Sequence, residues 1–118
     1  MANIKTKEVD IKAIIKQFIK ASNAYDVESA LKLFSLNAVI YDVSVGDTFK
    51  STVGVRKYIE TYFVDYKTIT KLESIEVHDN HDAKAQVDFT GDFGHETGGL
   101  NFTLNNEGLI TEIRAYLD

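Results

Sequence analysis

The sequence predicts an α+β domain: three helices packed on one face of a curved antiparallel sheet, in the order α-α-β-α-β-β-β-β. Three observations carry this. Apolar residues recur at helical spacing in three separate stretches before Thr68. After Thr68 the apolar period changes to two and stays there. The helical and alternating stretches are largely segregated along the chain, the pattern of an α+β fold rather than of alternating βαβ units. The chain has 118 residues, which suits one domain. Residues 1–118 therefore read as a single unit able to bury a core without cross-links.

The elements follow in order. Ile11, Ile14, Ile15, Phe18, Ile19 and Ser22 form one stripe of a first helix. Thr6 is its expected N-cap, and it should end between Asn23 and Tyr25. Asp26 reads as a second N-cap, and Val27, Ala30, Leu31 and Phe34 repeat the helical spacing. The stretch 38–45, AVIYDVSV, is rich in β-branched residues and reads as a short strand. Gly46-Asp47 marks a turn. A third helix, capped by Ser51 or Thr52, carries Val55, Tyr58, Ile59, Tyr62, Phe63 and Tyr66 at helical spacing.

Four strands complete the chain. Ile75 and Val77 alternate with polar residues, and HDNHD supplies a turn. Ala83, Ala85, Val87 and Phe89 alternate with Lys84, Gln86, Asp88 and Thr90, as in a half-buried antiparallel strand. Glycines 91, 94, 98 and 99 surround the next reversal and permit sharp curvature. Leu100, Phe102 and Leu104 alternate, 105–108 form a hairpin loop, and the last strand turns Ile113, Ala115 and Leu117 to one side. Covered by helices, such a sheet makes a cone with a mouth, the kind of concave apolar space where small ligands bind.

Composition narrows the function classes. A net charge of −5 argues against a nucleic-acid surface, which needs clustered cations to displace counterions. The early lysines (Lys5, Lys7, Lys12, Lys16, Lys20) interleave with the apolar stripe and read as a solvated helix face. No apolar run approaches the ~20 residues that span a bilayer, and MANIKTKEVD has no apolar core of a signal peptide. No cysteine is present, so neither disulfides nor a cysteine-zinc site can form. The expected location is cytoplasmic.

Element order, length and four local strings resemble the NTF2-like superfamily, in particular the SnoaL-like polyketide cyclases and ketosteroid isomerases. The strings are FIKASNAYDVESALKLF, AVIYDVSVG, GVRKYIETYF and NEGLITEIRAYL, and with the strand meander they cover nearly the whole chain. The resemblance implies a cystatin/NTF2-like cone with no cofactor, and commonly a homodimer formed through the outer sheet face. In ketosteroid isomerases, an aspartate on the strand after the second helix abstracts a proton beside a carbonyl, and Asp42 falls at that position. The matching oxyanion-donor positions hold Phe18 and Leu100, which cannot donate a hydrogen bond. SnoaL-like cyclases depend less on that donor pair.

The site candidates follow. If Ile40 faces the helices, alternation puts Asp42 on the same inner side, where it is a base, a polar pocket group or a strand-end residue facing water. Tyr58 and Tyr62 lie one turn apart and either line the cavity or belong to the core. Tyr41 points the opposite way. Phe18, Ile40, Phe89, Leu100, Phe102 and Ile113 are the expected walls. His95, beside Glu96, is a weaker acid–base candidate because strand neighbours face opposite sides, and Asp92 ranks no higher. His78 and His81 have a metal-like spacing but fall in the turn segment, so no metal is expected. The expected ligand is a small apolar or carbonyl compound. A competing expectation is a non-catalytic ligand-binding or dimeric interaction module. The outer sheet face should carry Lys84, Gln86, Asp88, Thr90, Asn101, Thr103, Arg114 and Tyr116, a composition that suits a twofold interface.

Overall fold

The computed structural model describes residues 10–118. Asp10 caps α1 (Ile11–Asn23), its carboxylate accepting the Ala13 N–H at 3.2 Å. Thr6, the expected cap, lies outside the described residues. Ile11, Ile15, Phe18, Ile19 and Ser22 are buried on one face of α1, as their spacing requires. The helix closes with Tyr25 in the left-handed region (φ 58) and Asp26 N–H bonded to the Ala21 carbonyl at 2.9 Å. Asp26 then caps α2 (Val27–Leu31), accepting both the N–H and the hydroxyl of Ser29.

Phe34 was expected on this second helix. It instead opens β1 (Phe34–Asp42). The Leu33 carbonyl is taken by the Ile110 N–H at 2.8 Å, so sheet pairing captures the chain where helical spacing would have continued it. A second departure is β2 (Asp47–Lys50), which pairs antiparallel with β1 and buries Phe49. A four-residue strand inside a turn signal carries too little alternation to be read from sequence. α3 (Ser51–Ile59) follows, with Lys50 at its N-cap position making no side-chain cap bond. It runs directly into a π-helical stretch, Glu60–Asp65. This ends where the Thr68 N–H reaches back to the Phe63 carbonyl (2.8 Å) and the Thr68 hydroxyl to the Tyr62 carbonyl (2.7 Å).

The meander is β3 (Ile69–Asp79), β4 (Asp82–Gly91), β5 (Gly94–Leu104) and β6 (Ile110–Leu117). The six strands lie in the order β2-β1-β6-β5-β4-β3. β1 and β6 run parallel, so the sheet is mixed rather than wholly antiparallel. Side-chain alternation is the same in both directions, which is why the sequence could not separate them. The sheet is open, with β2 and β3 at its edges.

Burial follows the alternation on β4, where Ala83, Ala85, Val87 and Phe89 face the helices. Leu100, Phe102, Ile113 and Ala115 extend that face across β5 and β6. Each fully buried large side chain stabilises by ~1.5–3 kcal/mol. Over the centre of this face, Phe18 meets Phe34, Phe63 and Phe102 edge-on, at ring separations of 5.9, 6.0 and 5.7 Å. The end of α1 is pinned to β3 by Asn23, which donates to the Thr70 carbonyl and accepts its N–H (2.9 and 2.7 Å). β5 and β6 approach closely because residues 98 and 99 are glycines. A Cβ at Gly98 would sit 2.1 Å from the Tyr116 carbonyl oxygen, and one at Gly99 would sit 2.3 Å from the Tyr116 hydroxyl. Among the described residues, no helix is long and apolar enough to cross a membrane.

Candidate functional site

Asp42 is the last residue of β1, two after the fully buried Ile40, so it shares the inner face. Only 7% of its surface is exposed. Its Oδ1 accepts the Ser44 N–H at 2.9 Å and the Ser44 hydroxyl at 2.5 Å. Its Oδ2 accepts the Tyr58 hydroxyl, also at 2.5 Å. Hydrogen bonds to a carboxylate are strong for their kind, and a carboxylate offers about four acceptor directions. Three are occupied, and one remains at Oδ2. No ion pair to Asp42 occurs among the described residues.

The carboxylate opens into a cavity of about 250 Å³. Its floor is made by the buried Asp42, Tyr58, Phe63, Thr68 and Phe89. Its rim carries Val45, Tyr66, Phe93 and Leu117, each about two-fifths exposed, together with the exposed Ser44 and Glu96. Tyr62 lies between the two. The rings form a continuous chain: Tyr58 to Tyr62 at 5.2 Å, Tyr62 to Tyr66 at 5.7 Å, and Tyr66 to Phe93 at 6.1 Å. The aromatic stripe of α3 continues through the π-helical stretch, and π-turns often occur at functional sites.

The two inner tyrosines have different roles. Burial holds the Tyr58 hydroxyl well above the usual tyrosine pKa, and the adjacent Asp42 charge and hydrogen bond add to it. Tyr58 is therefore a fixed neutral donor to Asp42. Tyr62 is also raised, first by burial, then by Tyr66, Asp42 and Asp47. Its hydroxyl makes no hydrogen bond among the described residues, so it can donate to an oxygen of a ligand. The site thus combines a carboxylate with one open acceptor direction, a free hydroxyl donor and apolar rings. That set can orient a small ligand and take a proton from it.

Of the residues singled out from sequence, Asp42, Tyr58, Tyr62 and Phe89 line this cavity. Phe18, Ile40, Leu100, Phe102 and Ile113, expected as walls, lie outside its lining and are almost completely buried. They pack in the core at the centre of the sheet, around the edge-on contacts that Phe18 makes. His95 faces the outer side, where its Nε2 lies 2.7 Å from Asp88 Oδ1. Its neighbour Glu96 reaches the cavity instead. Alternation carried back from Phe102 and Leu100 through Gly98 places residue 96 inside and 95 outside, so the sequence carries this signal. Tyr66 and Phe63 were on the recognised stripe of the third helix. Phe93 and Ser44 sit in turns and Thr68 in the link just before β3, where no periodicity marks them. Asp92 is not in the lining.

The remaining candidates lie elsewhere. His81 belongs to the β3–β4 turn, its N–H held by Asp79 at 2.7 Å. No cluster of three or more metal-ligating side chains exists among the described residues. Tyr41 lies on the outer face, with the Arg114 guanidinium 4.6 Å from its ring centre.

No protein-family model matches this sequence, and no curated protein matches it. Solved structures do. A protein from Mycobacterium tuberculosis, in complex with estradiol-17beta-hemisuccinate, superposes with a TM-score of 0.81 at 20% identity, over 92% of this chain and 93% of that one. An NTF2-like protein of unknown function from Cytophaga hutchinsonii gives 0.78 at 16%, over 98% and 95%. A candidate polyketide cyclase from Sinorhizobium meliloti gives 0.79 at 18%, over 87% and 93%. At these identities the likeness establishes the fold: the chain has the NTF2-like, cystatin-like architecture that its element order implied.

Proposed function

We propose that this chain binds a small, largely apolar molecule in the Asp42 cavity and abstracts a proton next to a carbonyl, with Asp42 as base and no cofactor. The observation that carries this reading is a nearly buried carboxylate with one open acceptor direction at Oδ2, facing an aromatic cavity. Tyr58 fixes the carboxylate, and Tyr62 is the donor for the developing enolate oxygen. One such donor is worth ~3 kcal/mol in the transition state. Phe18 and Leu100 supply none, so this site has a single-hydroxyl version of an oxyanion hole. The steroid ester bound by the mycobacterial protein and the cyclase description of the Sinorhizobium protein support a small-molecule role on this fold. The volume lies just below the ~300 Å³ where drug-sized sites begin, which favours one- or two-ring substrates.

The test is α-proton exchange on acetophenone in D2O, followed by NMR. The protein accelerates exchange above buffer, and Asp42→Asn lowers the acceleration on the order of 10². No acceleration by the unmodified chain, with acetophenone still bound in the cavity, rejects the base. The reading left would be a carrier or sensor. One feature favours that second reading: three donors already hold Asp42, an arrangement that also suits a fixed acceptor for a ligand donor.

We also propose a homodimer through the outer sheet face. It is supported by the Tyr41–Arg114 stack and by Lys84 lying 5.8 Å from the Tyr116 ring centre, residue types enriched at interfaces. Sedimentation of the intact chain as a dimer, and of Tyr116→Asp as a monomer, is the expected result.

A further inference from the structure

The cavity has a charge signature that proton abstraction from a carbonyl compound does not require. Two ionisable carboxylates line it, Asp42 at the floor and Glu96 at the rim, and among the described residues no lysine, arginine or histidine does. Asp42 is more than nine-tenths buried and has no cationic partner among the described residues. Three donors hold its carboxylate, but none of them carries a positive charge, and a bound cation would supply the counter-charge. Half of the lining is aromatic: Tyr58, Tyr62, Phe63, Tyr66, Phe89 and Phe93. Aromatic rings around a carboxylate form a receptor for ammonium groups, because ring faces attract cations that are poorly hydrated.

We propose that the ligand of this cavity is an organic cation, a small amine or quaternary ammonium with an apolar body. Its charged head sits against the ring faces of Tyr62, Tyr66 and Phe93, between the two carboxylates, where it offsets both, and its apolar body packs along the remaining rings. An anion is excluded by the same groups, which would repel it at both depths. The inference rests on the ligand-pocket reading above and specifies the substrate class of that site. In catalysis the head group would be the handle and the carbon acid would lie deeper, against Asp42 Oδ2.

The test is an isosteric charge series, benzylammonium, benzyl alcohol and benzoate, titrated against the full chain with protein NMR shifts read at the cavity residues. Benzylammonium is expected to bind at least tenfold tighter than benzyl alcohol, and benzoate weakest. Glu96 is exposed, so Glu96→Gln leaves the fold intact. That variant should shrink the ammonium preference, taken as the ratio to benzyl alcohol on the same variant, at least threefold. Benzyl alcohol binding as tightly as benzylammonium, or a preference that Glu96→Gln shrinks less than threefold, overturns the cation assignment and leaves the pocket reading standing. If none of the three probes shifts the cavity residues, both fall together.

Discussion

Aromatic rings fill one end of the space between helices and sheet and leave the other end open. Under α1, Phe18 meets Phe34, Phe63 and Phe102 edge-on at the centre of the fold. Beside β1 and β2, Tyr58, Tyr62, Tyr66 and Phe93 stand in a chain around about 250 Å³ of open space. The two regions use similar ring area for different ends. Phenylalanines pack against each other and need no partner. Tyrosines carry hydroxyls that must be satisfied or face water, so a carboxylate at the end of β1 and a cavity come together. Phe63 belongs to both regions, and the π-helical stretch it sits in is where a closed core becomes an open site.

The contrast predicts opposite mutational profiles. Phe102→Ala, at a fully buried position, should cost ~3–5 kcal/mol of stability, read as a lower urea midpoint at unchanged slope. Probe binding to the surviving folded fraction should not change. A cost below ~1 kcal/mol would mean that the centre is loosely packed and the two regions are not distinct.

Tyr58→Phe tests the boundary. It keeps the ring and its 5.0 Å contact with Phe49 but removes the hydroxyl donor to Asp42 Oδ2. Losing one partner of a buried charged group costs ~1–3 kcal/mol, so unfolding should move by that amount. The second acceptor direction freed at Oδ2 should alter exchange activity without abolishing it. If stability is unchanged, water has replaced the hydroxyl and the site is wetter than its lining implies.

At the open end, Phe93 is two-fifths exposed. Phe93→Ala should change stability within ~0.5 kcal/mol, as for a surface substitution. It should weaken benzyl alcohol about threefold to tenfold, the worth of an aromatic contact of ~0.5–1.5 kcal/mol. The ratio of binding loss to stability loss is the quantity that separates rim from core.

Much of this was readable from residue order. The stripe of α1, the alternation of β4 and the inward phase of Asp42 all follow from periodicity, which is strong wherever one face is wholly buried. Beyond the strand direction of β1 and β6, three things were not. β2 is four residues long, and its one buried ring, Phe49, lies between a turn and a helix start. Phe34 fits helical spacing equally well, and only the pairing of Leu33 with Ile110, about 80 residues away, decides against it. The open volume depends on which side chains interlock: Phe18 and Leu100 carry the same apolar signal as Phe89, yet of the three only Phe89 lines the Asp42 cavity. Glu96 is a different case, because its inner phase was present in the sequence and was obscured by the glycines that bend β5.

The smallest expected effect lies on the outer face, and it checks that the two sides of the sheet are independent. His95 is hydrogen-bonded to Asp88, which raises its pKa, with a minor contribution from Glu96. A histidine whose folded pKa is raised favours the folded state fully below its unfolded value, near 6.5, and loses that contribution as pH rises through the raised pKa. Stability should therefore fall slightly from about pH 6.5 upward. Asp88→Asn should remove that slope and bring the His95 titration, read from its imidazole proton shifts, down toward 6.5. Saturating the cavity with benzyl alcohol, which is neutral, should leave the His95 midpoint where it was. Movement of that midpoint would show that the sheet transmits what happens at Asp42, and the division between a closed core, an open site and an indifferent outer face would have to be redrawn.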